Sequence, residues 1–349
     1  MSLKVLILGV NGFIGHRLAE KILAETDWTI SGIDLTSDKL KDCIDHPRFY
    51  FVEGDIKIQR DWVESQIAQT DVVLPLVAIA TPATYVQDPL RIFELDFEEN
   101  LKIIRLCQHY KKRIIFPSTS EVYGMCPDEA FDEETSNLVL GPIHKERWIY
   151  SCSKQMLDRV IYAYGKHQGL QYSLFRPFNW IGPNLDNIYN TKPGGSRVVT
   201  QFLSNIIHGK DITLVNGGSQ KRCFTDLDDG IDCLIKIIEN NNNCAASRVF
   251  NIGNPYNNLS IKELAEDLLA LTAQYPDYAK AASQCRFINV DGEEYYGKGY
   301  QDTQLRVPAI ENAKKYLNWE PKITTQQSLK KITDFYLGSK KIQREIVTK

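Results

Sequence analysis

Tyr150 and Lys154 stand four residues apart in YSCSK, a spacing that puts both side chains on one face of a helix. A phenol beside an ammonium can take the proton of an alcohol, because a nearby cation lowers the phenol's pKa. The Ser118–Ser120 run, Ser-Thr-Ser, and Glu121 precede the pair and offer hydroxyls and a carboxylate to the same chemistry. Near the start, Gly9, Asn11, Gly12, Phe13, Ile14 and Gly15 form GVNGFIG, between an apolar run and a helical pattern. Glycines there let the backbone turn tightly and approach a pyrophosphate, whose charge then sits at the helix N-terminus. Asp34 ends the second apolar run, about twenty residues on, where a carboxylate accepts from both ribose hydroxyls of an adenosine and repels a 2′-phosphate. The cofactor expected is therefore NAD. Asp55 and Ile56, in EGDI after the third apolar run, are placed to meet its adenine, and Tyr150 and Lys154 its nicotinamide end.

Such groups need a scaffold, and the first half of the chain supplies its pattern: short apolar runs alternating with longer helical ones, the mark of βαβ units. Strands are expected at 4–8, 29–33, 49–52, 71–78, 113–117 and 172–178. Helices are expected at 13–24 and at about 89–110 and 147–167. The fold class is α/β, a doubly wound parallel sheet of the Rossmann type, with a smaller C-terminal substrate lobe. After Asn179 the rhythm breaks into NWIGPNLDNIYNTKPGGS, where the lobe should begin, and 226–252 reads as a helix and then a strand returning to the sheet. The expected division is a dinucleotide domain over 1–178 with 224–254, a substrate lobe over 179–223 and 255–337, and a frayed tail over 338–349.

Composition narrows the function class. With 41 Lys+Arg against 44 Asp+Glu, the net charge of -3 speaks against a nucleic-acid partner held by broad electrostatics. No apolar run reaches the roughly 18 residues of a membrane span, and the first residues run straight into a strand, so neither membrane association nor a signal peptide is expected. The eight cysteines show no C-x-x-C spacing, which predicts reduced thiols in the cytoplasm and no metal site. Bland roles fall to His16, on an exposed helix side, and to His109, Lys111, Lys112 and Arg113, as a solvated turn. Cys152, Trp62, Trp148 and Trp180 read as packing.

The runs GVNGFIG, FPSTSEVYG, YSCSK and RPFNWIGP stand in an order that resembles the extended short-chain dehydrogenases that modify nucleotide sugars, over about 4–337. Within that family, LPLVAIATP, FELDFEENL, FPSTSEVYGM, RWIYS, FRPFNW, GGSQKRCFTD and YYGKGYQD resemble UDP-glucuronate decarboxylases. Those enzymes include one half of the bifunctional polymyxin-resistance enzyme. No formyltransferase portion is expected in this sequence, so transformylation is not implied.

The resemblance implies NAD-dependent oxidative decarboxylation of UDP-glucuronate to a UDP-4-keto-pentose, with release of carbon dioxide and NADH, by a homodimer. Tyr150 would take the C4-hydroxyl proton while hydride passes to NAD, with Lys154 beside it, and Thr119 and Ser120 would meet the new keto oxygen and the C6 carboxylate. Related dehydratases carry Asp-Glu where this chain has Ser120-Glu121, and an aspartate would repel a C6 carboxylate that serine can hydrogen-bond. Glu121 is implied as proton acceptor and Arg306 as proton donor, while an arginine's high pKa leaves a charge clamp, with water as acid, as the alternative. Substrate contacts are implied for Ala80, Tyr85, Arg147, Asn179, Arg197, Lys221, Arg222 and Tyr300, the last pairing with Arg306. Two other readings stand beside this one: a UDP-xylose or UDP-apiose/xylose synthase that re-reduces the keto-pentose with bound NADH, and a non-catalytic dinucleotide-binding regulator.

Overall fold

The computed structural model describes residues 2–189, 191 and 196–338. Of the tail expected at 338–349, all but Gly338 lies outside the described residues, as do residues 190 and 192–195. Strands β1 (Lys4–Leu8), β2 (Thr29–Asp34), β3 (Phe49–Glu53), β4 (Val72–Pro75), β5 (Arg113–Pro117) and β6 (Tyr172–Pro177) join the strand Arg248–Ile252 in one parallel sheet. Its order is Arg248–Ile252, β6, β5, β4, β1, β2, β3. The chain therefore reverses its direction of winding between β1 and β4, and the crevice at the carboxyl ends of those two strands is where an open sheet of this kind holds ligands.

Side chains of β1 alternate between two cores, as the strand period of two requires. Val5 and Ile7 pack with helix α1 (Phe13–Glu25), with the Leu227–Glu239 helix and with Trp319. Leu6 and Leu8 pack on the other face with helix α2 (Arg60–Gln69), the Asn100–His109 helix and the Trp148–Gln168 helix, through Val63, Ile104 and Leu157. A parallel sheet covered on both faces explains why its strands read as unbroken apolar runs. A third core lies among the helices Val198–Ile207, Ile261–Thr272 and Thr325–Leu337, around Leu203, Leu264 and Ile332. Two of those helices begin with capping boxes, Ser260 with Glu263 and Thr324 with Gln327, which fix where the chain turns inward.

Some expectations are corrected. The 71–78 strand ends at Pro75: Leu76 N still reaches Leu8 O, and the chain then leaves the sheet as a loop beside the crevice. The long helix expected at 89–110 is interrupted by a π-helical stretch, Phe93–Glu99, within which Asp96 is fully buried. His16 is buried rather than exposed, its Nδ1 hydrogen-bonded to Gly12 O. Arg113 is buried and donates to the carbonyls of Ile237 and Ile238, which the end of their helix leaves without partners. Cys152 is exposed and Trp62 half-buried, whereas Trp148 and Trp180 are in the core.

A buried polar chain, not legible in the sequence, ties the sheet to the segment that carries Arg306. Ser118 Oγ and Arg176 Nη2 donate to Asp158, Arg176 Nη1 to Tyr123 Oη, and Tyr123 to Asn251 Oδ1. Asn251 Nδ2 in turn holds the carbonyls of Phe131 and Ala309. Glu133 accepts from Asn251 N at 2.7 Å, while its Oε2 is buried without a partner. Burial pushes Glu133 up to about 7. The folded state then keeps this proton to higher pH than the unfolded chain, whose glutamates titrate near ~4.3, so stability is lost as pH rises between those values. Glu133→Gln is expected to raise the melting temperature at about pH 8 and to change it little near pH ~4. Equal shifts at both, read by calorimetry, would contradict this assignment.

Candidate active site

The glycine turn lies at the carboxyl end of β1. Gly9 has φ +87° and its N–H donates to Ile33 O, so the turn is tied to β2. A Cβ on Gly15 would stand 2.5 Å from Gly9 O, a contact no side chain tolerates. Helix α1 opens there with no capping side chain and no acid in its first turn, so its first N–H groups are free to meet an anion. Asp34 Oδ2 accepts from Asn11 N at 2.8 Å and Oδ1 from Leu35 N at 2.7 Å; its partial burial raises its pKa. Asn11 itself, through its side chain, fixes the loop after β2 at Thr36, Asp38 and Lys39. Gly54 N reaches Asp34 O, which sets Asp55 and buried Ile56 beside the same edge. Phe13 and Ile14 are half-buried at the helix start. The tight turn, the free helix end and a carboxylate at the end of β2 together fit NAD: Gly9 to Gly15 would take the pyrophosphate and Asp34 the adenosine ribose.

Further along the sheet, two residues beyond the end of β5, is Thr119, whose Oγ1 accepts from Glu121 N and caps the short turn Ser120–Tyr123. Thr119 and Ser120 are buried. Tyr150 and Lys154 come up from the helix Trp148–Gln168, both buried. The Tyr150 ring stacks on Tyr85 with centroids 4.6 Å apart, and the Thr119 hydroxyl is near enough to favour the phenolate. Lys154 Nζ donates to Pro117 O at 2.9 Å and lies 6.0 Å from the centre of the Tyr150 ring. The sequence led us to expect a lowered phenol pKa, and the protein's own groups do the reverse. Burial, with Asp96 nearby, raises it well above its ordinary value. Burial lowers Lys154, against the charges of Asp96 and Asp158.

Beside this pair is a cleft lined by Glu121, Arg147, Asn179, Arg197, Arg222 and Arg306, with Phe202 and Phe224 among its apolar walls. Arg147 Nη2 donates to Glu121 Oε2 at 2.6 Å, and Arg306 Nη1 pairs with Glu121 Oε1. Arg306 Nε also donates to Thr303 Oγ1, and Arg222 Nη2 to Asp302 at 2.6 Å. Burial alone would raise Glu121; Arg147 and Arg306 outweigh it and hold the carboxyl down at about 2. The segment that carries Arg306 is latched to the catalytic helix by Trp148 Nε1 and Gln301, 2.9 Å apart.

Not every candidate reaches this cleft. Lys221 is exposed, because on the strand Lys221–Cys223 the alternation that turns Gln220 and Arg222 inward turns Lys221 out. Ala80 is exposed on the loop after β4, and Tyr85 is buried beneath Tyr150. Tyr300 stacks on Tyr296 and lies under the guanidinium of Arg147, 5.6 Å from its centre, rather than pairing with Arg306. Asn179, at φ +42°, gives its amide to Cys223 O, and Arg197 pairs with Asp186 at 2.9 Å. Sequence reasoning missed Asp96, Asp158 and Asp302. Only Asp302 had a signal, its place four residues before Arg306 in YQDTQLR.

Residues 5–253 match the model of the NAD dependent epimerase/dehydratase family. The chain belongs to that family. NAD is the cofactor of its members, and the site residues described above accommodate it. At 53% identity and a TM-score of 0.89, the chain is similar to the PbgP3 protein from Burkholderia pseudomallei, with 99% of each chain covered. Two structures at 20% identity share the fold. A dTDP-glucose 4,6-dehydratase from Bacillus anthracis with NAD has a TM-score of 0.77, with 99% of this chain and 100% of that one covered. A variant UDP-glucuronic acid 4-epimerase from Bacillus cereus, with a fluorinated UDP-glucuronic acid and NAD, has a TM-score of 0.79, with 98% and 100% covered. This epimerase/dehydratase family member is thus an NAD-dependent enzyme with the sheet expected from its sequence.

Proposed function

We propose that the protein oxidatively decarboxylates UDP-glucuronate with NAD, giving a UDP-4-keto-pentose, carbon dioxide and NADH. The observation that carries this reading is the excess of buried guanidinium beside Tyr150: among the described residues, Arg147, Arg222 and Arg306 are paired only with the carboxylates of Glu121 and Asp302. A buried surplus of positive charge is costly until an anion joins it, and a sugar carboxylate next to an oxidisable C4 hydroxyl supplies one. The Bacillus cereus relative holds a UDP-glucuronic acid analogue, and the Bacillus anthracis one is a dTDP-glucose dehydratase.

NAD, held by the glycine turn and Asp34, would supply a hydride acceptor with a positive charge at its reacting end. That charge is what the raised Tyr150 phenol needs to release its proton and then accept one from the C4 hydroxyl. Lys154, fixed by Pro117 O, stabilises the phenolate. Thr119 donates toward the keto oxygen and Ser120 toward the C6 carboxylate, which as a β-keto acid loses carbon dioxide. Arg306, gripped by Glu121 and Thr303, acts as a charge clamp, with water as the acid for the pentose carbon. Arg222 meets the diphosphate, and Arg147, Arg197 and Asn179 complete the nucleotide-sugar contacts.

In this reading 1–178 with 224–254 hold NAD, and 179–223 with 255–337 hold the nucleotide sugar. Eight free thiols accord with a cytoplasmic setting; among the described residues no helix is long and apolar enough to cross a membrane. The active form is a homodimer. Leu90, Phe93, Met156 and Tyr162 are exposed large apolar side chains on the segment around Pro89–Glu99 and on the helix Trp148–Gln168, which pack on each other. A second copy would bury them as a four-helix bundle about a two-fold axis. Light scattering at micromolar concentration is expected to give the dimer mass; a monomer would contradict this part of the reading.

The mass of the nucleotide product tests the reaction itself. A keto-pentose with free NADH supports the oxidative enzyme, whereas a reduced pentose with no net NADH means a synthase of the UDP-xylose kind. A regulator without catalysis would leave UDP-glucuronate intact.

A further inference from the structure

Glu121 lines the cleft among three buried arginines. Its two oxygens are each taken by a different arginine, and the side chains of Glu121, Arg147 and Arg306 are only 14%, 1% and 7% exposed. The cluster still lacks acceptors, because Nε and Nη1 of Arg147 are buried without a partner. Arg222, from the neighbouring strand, is paired with Asp302, which also lies 3.7 Å from Arg306. Among the described residues, the phenols of Tyr85 and Tyr150 also lie within electrostatic reach of Glu121.

Resting on the proposed decarboxylation, we infer that Glu121 is a stand-in for the substrate's carboxylate, which displaces it from Arg306 and Arg147 and so turns Glu121 into a proton acceptor only when an anionic sugar is bound. Two buried carboxylates cannot share one pair of guanidiniums without strong repulsion, so one of them must leave or take up a proton. Glu121 freed of Arg147 and Arg306 keeps its burial, which favours the neutral acid, and retains only the more distant charge of Arg222. Its proton then comes from solvent or from the reacting hydroxyl. A neutral sugar brings no carboxylate and leaves the ion pairs as they are. Glu121 thereby acts in specificity as well as in catalysis: it occupies the clamp against uncharged sugars and gains basicity in answer to charged ones.

Calorimetric titration of the full chain loaded with NADH, which cannot accept hydride, tests the exchange in the absence of turnover. Near pH ~6, in buffers of different ionisation enthalpy, UDP-glucuronate is expected to bind with proton uptake and UDP-glucose with none. Glu121→Gln, which removes the competing anion, is expected to abolish the uptake and to tighten UDP-glucuronate binding by about 10-fold or more relative to UDP-glucose. Equal uptake with both sugars in the wild-type protein, which needs no variant, would overturn the inference, as would weaker or unchanged UDP-glucuronate binding relative to UDP-glucose in Glu121→Gln. Release of carbon dioxide from UDP-glucuronate by wild type with NAD judges the underlying reaction separately. Release without proton uptake removes the exchange and leaves the decarboxylase reading standing.

Discussion

Tyr150→Phe is expected to bind NAD and UDP-glucuronate nearly as well as wild type and to turn over at least ~100-fold more slowly, the usual worth of a positioned general base. The phenyl ring keeps the stacking on Tyr85 and the packing of a side chain that is only 5% exposed, so the fold and both binding sites lose little. What disappears is the phenol oxygen, the group that would take the proton of the reacting hydroxyl. Lys154 cannot replace it, because its ammonium is committed to Pro117 O and is a donor only. Turnover of Tyr150→Phe within a few-fold of wild type would remove Tyr150 from the mechanism.

Ser120→Asp is expected to harm UDP-glucuronate far more than UDP-glucose. Ser120 is buried between Thr119 and Glu121, on the turn that faces Tyr150, and a carboxylate placed there meets the C6 carboxylate of the first sugar only. At roughly 4 Å and an effective dielectric near ~20, the repulsion is about 4 kcal/mol. Even a third of that, after the site's arginines have screened it, is about tenfold in affinity. The two sugars share the nucleotide and diphosphate, so misfolding or general loosening would weaken both alike. Binding titrations of both ligands decide it, and equal losses would mean that Ser120 does not face the carboxylate.

The parts of this enzyme that are legible in its sequence are those set by local rules. The glycine turn, Asp34 and the apolar runs of the sheet follow from backbone sterics and burial on both faces, and the strands lie within a few residues of expectation, including Arg248–Ile252 at the sheet edge. Readings that depend on which way a side chain points across the fold fare differently. Lys221 and Arg222 are neighbours of the same charge, and only the register of their short strand separates an exposed residue from one in the cleft. Asp96 looks like an ordinary surface acid in FELDFEENL until the π-helical stretch turns it inward, where it accepts from Ile79 N. The relay from Asp158 through Arg176 and Tyr123 to Asn251 joins residues up to 128 positions apart. Nothing in a linear pattern marks them as partners. The double grip of Arg147 and Arg306 on Glu121 is long-range in the same way, spanning 26 and 185 positions, and it makes a nominal base a weak one at rest.

The central claim is that oxidation at C4 and loss of C6 occur on one active site, and the most direct measurement follows both. The purified chain, given NAD and UDP-glucuronate labelled at C6, is monitored for NADH absorbance and for labelled carbon dioxide. One carbon dioxide is expected for each NADH, with a UDP-linked keto-pentose left behind and both products formed at least ~100-fold more slowly by Tyr150→Phe. Conversion of UDP-glucuronate to an isomer that keeps its label, with no carbon dioxide, would contradict it and make the protein an epimerase.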